Sequence, residues 1–216
     1  RGRTSEPLMS TSSRRPRGRS VVAPVTWALA ALALTFSPAE AQYGWWSGFT
    51  YQAALSQGDT ELFSDGLEWR NFGLDFRKMV SPQASIGFFT GWHTFNNQED
   101  GLLSFDQVDV SGLQRRFLNA FPLLLTGHWY LQDARRGGAF VGLGAGTYWI
   151  ENRVEVGRTS LSTDEWHFGV APEVGWALDT ASGLAPYLSV RYNYAFEAGD
   201  FSHSWWTFGI GIATGF

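Results

Sequence analysis

From residue 45 onward the chain alternates between large apolar side chains and small or polar ones. A period of two marks a β-strand with two unlike faces. In the stretch 139–151, Val141, Leu143, Ala145, Thr147 and Trp149 share one face, while Phe140, Gly142, Gly144, Gly146 and Tyr148 share the other. In the last stretch Trp206, Phe208, Ile210, Ile212, Thr214 and Phe216 oppose Trp205, Thr207, Gly209, Gly211, Ala213 and Gly215. The pattern predicts eight strands, near 45–56, 66–79, 84–95, 119–131, 139–151, 165–178, 184–196 and 205–216. Three of the gaps are short turns (81–83, 132–138 and 179–183), and four are longer loops (57–65, 96–118, 152–164 and 197–204).

An even number of strands, with short turns at one end and long loops at the other, is the pattern of a membrane barrel. Each run has about the 9–11 residues that a tilted strand needs to cross a bilayer. A water-soluble barrel would bury its bulky face and show a charged exterior. Here the face opposite the bulky one is rich in glycine with scattered charges, a poor surface for water but a suitable lining for a narrow bore. The bulky face is therefore expected to meet lipid. Closure into a barrel removes the unpaired edge that hydrocarbon cannot solvate. The expected fold is an all-β, eight-stranded antiparallel up-and-down transmembrane barrel.

Tryptophan placement supports the same reading. Ten of the eleven tryptophans follow residue 42, and each lies near an end of its predicted strand. Tracing the strands up and down puts Trp45, Trp46, Trp129 and Trp176 at one rim, with Trp69, Trp92, Trp149, Trp166, Trp205 and Trp206 toward the other. Of these, Trp45, Trp92, Trp129, Trp149, Trp166, Trp176 and Trp206 are the candidate aromatic girdle, because indole rings settle where hydrocarbon meets headgroups.

The first forty residues differ from the rest. Arg14, Arg15, Arg17 and Arg19 form a basic cluster, an apolar run extends from Val21 to Phe36, and Ala39-Glu40-Ala41 follows. A basic region, a short apolar core and an A-x-A site predict a cleavable signal peptide. The expected organisation is an N-terminal extension and signal peptide over 1–41 and a barrel over 42–216. The whole chain has a net charge of −4, and without the leader that becomes −8. An acidic mature chain excludes nucleic acid as an expected partner. There is no cysteine, so neither a disulfide scaffold nor a thiolate metal site is available.

Particular segments carry a resemblance. Phe121-Pro122-Leu123-Leu124-Leu125, the strand ending Trp129-Tyr130-Leu131, and Phe140-Val141-Gly142-Leu143-Gly144-Ala145-Gly146 resemble paired strands of small eight-stranded outer-membrane proteins of the OmpA/OmpX type. Ala171-Pro172-Glu173-Val174-Gly175, followed by Val190-Arg191-Tyr192, does too. Phe216, with apolar residues at every second position before it, is similar to the signal read by the barrel-assembly machinery. The resemblance implies residence in the bacterial outer membrane with both ends of the mature chain periplasmic. It implies contact with outer-membrane lipid and lipopolysaccharide, passage through the assembly machinery, and a monomer without cofactor. The peptidoglycan-binding domain of full OmpA-type proteins has no counterpart here, so no cell-wall tether is expected.

By parity, Gln52, Asp75, Arg77, His93, His128, Glu173, Arg191 and Asn193 point into the bore. Buried charges must be paired. Glu173 and Arg191 lie at similar distances from the turn at 179–183 and are predicted to meet across adjacent strands. The expected result is a packed polar lumen; the alternative is a gate in a narrow channel of the OmpW type. Acidic residues crowd the long-loop end, among them Asp59, Glu61, Glu68, Glu151, Glu155, Asp164, Glu165 and Glu197. They form a solvated surface or share divalent cations with lipopolysaccharide phosphates, since hard cations prefer oxygen. Ser202-His203-Ser204 resembles the surface dyad of lipid A deacylases, with Glu197 or Asp200 as candidates to orient the histidine. The four histidines show no metal-ligand spacing. No catalytic residue and no metal site is expected, and the primary functional expectation is a non-catalytic structural or surface-interaction role.

Overall fold

The computed structural model describes residues 44–215 apart from Asp65, 106–107, 157–158, 179–182 and Asp200. The expected signal peptide and the terminal Phe216 lie outside the described residues. The strands are β1 (Trp45–Gln57), β2 (Leu67–Ser81), β3 (Ala84–Phe105), β4 (Val108–Tyr130), β5 (Gly137–Val156), β6 (Thr159–Leu178), β7 (Leu184–Ala198) and β8 (Phe201–Thr214). Each pairs antiparallel with the next, and β8 pairs with β1, so the sheet is a closed eight-stranded up-and-down barrel. The closing ladder runs without a shift from Ser47 opposite Thr214 to Gln57 opposite Ser204.

Side-chain direction follows the alternation in the sequence. Phe208, Ile210 and Ile212 are 44%, 62% and 56% exposed, while Gly209, Gly211 and Ala213 between them are buried. Phe49, Phe76, Leu125, Leu143, Phe168, Val174 and Leu188 are exposed in the same way. The barrel is apolar outside and contains Arg77, Asp75, Glu173 and Arg191 inside. This inversion suits hydrocarbon and would leave a very large apolar patch in water.

Two expected loops are strand instead. The segments predicted as loops over 96–118 and 152–164 continue the ladders, to Phe105 opposite Val108 and to Val156 opposite Thr159. The β3–β4 and β5–β6 hairpins therefore have strands of 20–23 residues, about twice what a crossing needs. Their outer parts lose the apolar alternation, and residues 160–166 of β6 are exposed on both faces. The expected 197–204 loop is likewise short: Ala198 already pairs with Phe201. The 57–65 segment carries a helical turn, α1 (Asp59–Phe63), and the 132–138 turn contains a 3-10 turn at Ala134–Arg136.

Proline leaves its mark on the ladders. β4 pairs continuously with β5 through Pro122, but on its other side the β3 pairing is interrupted between Thr90–Leu123 and His93–Ala120. β6 likewise pairs with β5 through Pro172, and its β7 ladder is interrupted between Val170–Tyr194 and Glu173–Arg191. A residue without an N–H cannot serve both neighbours.

Candidate functional site: the lumen and its outer mouth

The narrow, packed bore expected from the sequence is filled by large side chains for which the glycines make room. Tyr187 of β7 lies opposite Gly211 of β8, where an added Cβ would come within 2.6 Å of the ring. Phe89 occupies the space beside Gly73 in the same way. Phe140 lies opposite Gly175, and His128 opposite Gly142. Each glycine is thus the partner of a ring that crosses the bore, and the lumen is closed by that complementarity.

All eight predicted lumen residues are buried. Five of them, Asp75, Arg77, His128, Glu173 and Arg191, form one charged layer. Asp75 accepts two hydrogen bonds from Arg77, from Nε at 3.0 Å and Nη2 at 2.6 Å. Glu173 Oε2 accepts from Arg191 Nη2 at 2.8 Å and from His128 Nε2 at 3.1 Å. The cross distances are Arg77 to Glu173 at 3.8 Å and Arg191 to Asp75 at 3.7 Å. The predicted meeting of Glu173 and Arg191 is a directly opposed pair on β6 and β7. Two guanidinium groups and two carboxylates alternate, so the layer balances its charge internally, as burial requires. Asp75, His128 and Glu173 hold ligand atoms within 4.8 Å of one another. Both carboxylates are already engaged by guanidinium groups, so a metal there would have to displace an arginine.

Aromatic rings cover both sides of that layer. Arg77 stacks on Trp46 at 3.9 Å and donates to the Tyr130 hydroxyl at 3.1 Å. Arg191 stacks on Phe89 at 3.4 Å. Toward the short turns lies a cluster that includes Trp46, Met79, Tyr130, Phe140 and Tyr187. Toward the long hairpins lies a second one, with Phe89, Phe95, Leu118, Leu124, Tyr148, Ile150 and Trp205. Guanidinium groups tolerate this environment because they are weakly hydrated and present flat faces to the rings.

The remaining predicted residues, Gln52, His93 and Asn193, make polar contacts within the outer cluster. Trp205 Nε1 donates to His93 Nδ1 at 3.0 Å, and His93 Nε2 lies 2.9 Å from Gln52 Oε1. Indole can only donate, so Nδ1 accepts and the neutral ring carries its proton on Nε2, which donates to the glutamine carbonyl. The Tyr148 hydroxyl donates to Asn193 Oδ1 at 3.3 Å.

The tracing of tryptophans to the rims missed two contributors. Trp46 and Trp205, traced to the rims with the other tryptophans, are both buried in the lumen. Parity already placed Trp205 with Gly209 and Gly211; its neighbour Trp206 obscured this. Of the candidate girdle, Trp45, Trp129 and Trp176 are exposed at the short-turn end. Trp166 is exposed toward the long hairpins, where Trp92, Trp149 and Trp206 are half-buried.

At the outer end, α1 is tied to the start of β8. Ser202 donates to Asp59 Oδ2 from both N and Oγ, at 3.2 and 3.0 Å. Thr60 Oγ1 accepts from Ser204 N at 3.0 Å and lies 3.3 Å from His203 Nδ1. Ser204 Oγ donates to the Gln57 carbonyl at 3.2 Å. Both serine hydroxyls therefore turn away from His203. Thr60, rather than Glu197, is the histidine's hydrogen-bond partner, and Asp200 lies outside the described residues. Above this layer opens a cavity of about 520 Å³, bordered by α1 and the inward faces of the long hairpins.

No protein-family model matches the chain, and no curated protein matches it in sequence. Solved structures do. One is the attachment invasion locus protein Ail of Yersinia pestis, at 10% identity over 81% of this chain and 97% of that one, TM-score 0.48. A second is Neisserial surface protein A, at 10% identity over 80% and 96%, TM-score 0.48. A third is the outer membrane protein OprG of Pseudomonas aeruginosa, at 14% identity over 80% and 96%, TM-score 0.47. All are small eight-stranded outer-membrane barrels. At these identities the likeness concerns fold alone, and function has to be read from this chain's own residues.

Proposed function

We propose that this protein is a non-catalytic bacterial outer-membrane barrel with a sealed lumen, whose role is structural or lies in surface interaction. One observation carries the reading: a charge-balanced layer of Asp75, Arg77, Glu173 and Arg191 spans the bore between two aromatic clusters. Opening a path for ions would separate buried charges from their partners, which costs several kcal/mol per ion. The apolar outside supports placement in lipid, with exposed tryptophans at the headgroup levels. The described chain ends share the end of the barrel that holds the three short turns. In outer-membrane barrels that end faces the periplasm. The long hairpins then project outward, where lipopolysaccharide and external partners are met.

A second reading, a narrow channel for small solutes, has one observation in its favour. His128 Nδ1, Arg191 Nη1, Ser85 Oγ and Thr126 Oγ1 are buried without a hydrogen-bond partner, and such atoms are sites for water. Conductance of the purified protein in planar bilayers decides between the two. The sealed barrel gives no discrete openings, and sustained unitary currents that change with Glu173→Gln would establish the channel. For the absence of catalysis, lipid A from overproducing cells is expected to be unchanged.

A further inference from the structure

The inner face of the barrel continues above the sealed lumen and changes character there. Odd-numbered residues of β6 point inward: His167, Gly169, Ala171 and Glu173 are all buried. Leu161, on the same parity three pleat repeats beyond His167, is 63% exposed. Phe201, on the inward parity of β8 with His203 and Trp205, is 59% exposed. Apolar side chains directed inward, beyond the lipid-facing zone and with nothing against them, leave an unfilled pit. Phe63 of α1 and Val154 of β5 complete its apolar wall, and its volume is about 520 Å³. Pockets of roughly 300–1,000 Å³ accept small organic ligands. The aromatic cluster around Trp205 closes the floor, and Phe63 packs against it.

The polar groups of the pit favour one charge type. Glu165 borders it and makes no ion pair among the described residues. Asn152, also in the wall, has a buried Oδ1 with no hydrogen-bond partner. Asp59 adds a second carboxylate. The one guanidinium present, Arg116, lies 6.0 Å from the centre of the Phe63 ring. Glu197, on the inward parity of β7 beyond the buried Ala195, is exposed at the same end.

We propose that this pit is a binding site for a small amphipathic organic cation. The ammonium group of a compact aromatic or aliphatic amine is held by Glu165 and the Asn152 carbonyl, while its apolar body rests on Phe63, Leu161 and Phe201. The site depends on the barrel and its hairpins, not on whether the lumen conducts. Its failure and the failure of the sealed-lumen reading are therefore distinguishable.

The test is calorimetric titration of the full barrel in lipid nanodiscs with phenethylammonium, phenethyl alcohol and hydrocinnamate, against protein-free discs. Saturable one-to-one binding of the amine is expected, with the alcohol weaker and the carboxylate not bound. Glu165→Gln should weaken the amine roughly fivefold, the scale of a partly exposed charge pair, and leave the alcohol unchanged. Leu161→Trp, which fills the pit from an exposed position, should abolish binding of both; Thr163→Phe fills it from the neighbouring inward position and serves as the second blocking variant. Equal binding of amine and carboxylate, or undiminished binding in both blocked variants, would overturn the proposal.

Discussion

The same inward-facing register of the sheet is filled in two opposite ways. In the bore, large rings and paired charges fill the space, and glycines and other small residues admit a neighbour's side chain. Above the tryptophans, the register continues through Thr163, Leu161 and Phe201, but the opposing side chains no longer meet. Closure is thus not a property of having eight strands. It results from side-chain volume matched across strands, and it stops where that matching stops.

The comparison can be broken most sharply in the charged layer. Arg77→Met leaves Asp75 without its bidentate partner, and uncompensating a buried pair is expected to cost about 3–5 kcal/mol. The fall would be read as a lower thermal unfolding midpoint in detergent by heat-modified gel migration. Trp205→Ala removes the floor of the mouth and the donor to His93. A large-to-small change of this kind costs about 3–5 kcal/mol, read in the same unfolding assay. Gly211→Val places a Cβ 2.6 Å from the Tyr187 ring and 2.7 Å from the Phe49 carbonyl oxygen, with two methyl groups beyond it. The expected loss is about 1–3 kcal/mol in the same unfolding assay, and it should be partly recovered by Tyr187→Ala, which empties the space. Leu161→Ser, at the unfilled mouth, is expected to change stability by no more than about 0.5 kcal/mol. A loss as large as those in the bore would mean that the mouth is packed after all and that the two regions do not differ.

Legibility in the sequence followed solvent. Where one strand face meets hydrocarbon and the other a packed interior, the two environments impose period two on the residues, and parity alone assigned all eight lumen positions. Past the membrane the contrast vanishes, as in residues 160–166 of β6, which are exposed on both faces, and Asn96, Asn97 and Gln98 read as loop although they stand in the β3–β4 ladder. Helix α1 was hidden for a different reason: five residues make too little pattern, and its position depends on Ser202 and Ser204, about 140 residues away.

The sequence by itself determined the number of strands, their antiparallel order, the lipid-facing side and the identity of the buried charges, because these follow from local alternation. Only the tertiary structure decided that Trp46 and Trp205 plug the bore, that Asp75 prefers Arg77 while Glu173 takes Arg191 and His128, and that the mouth stays open. Those outcomes depend on the stagger between strands once the barrel closes. Stagger sets which side chains share a level, and nothing local to any one strand encodes it.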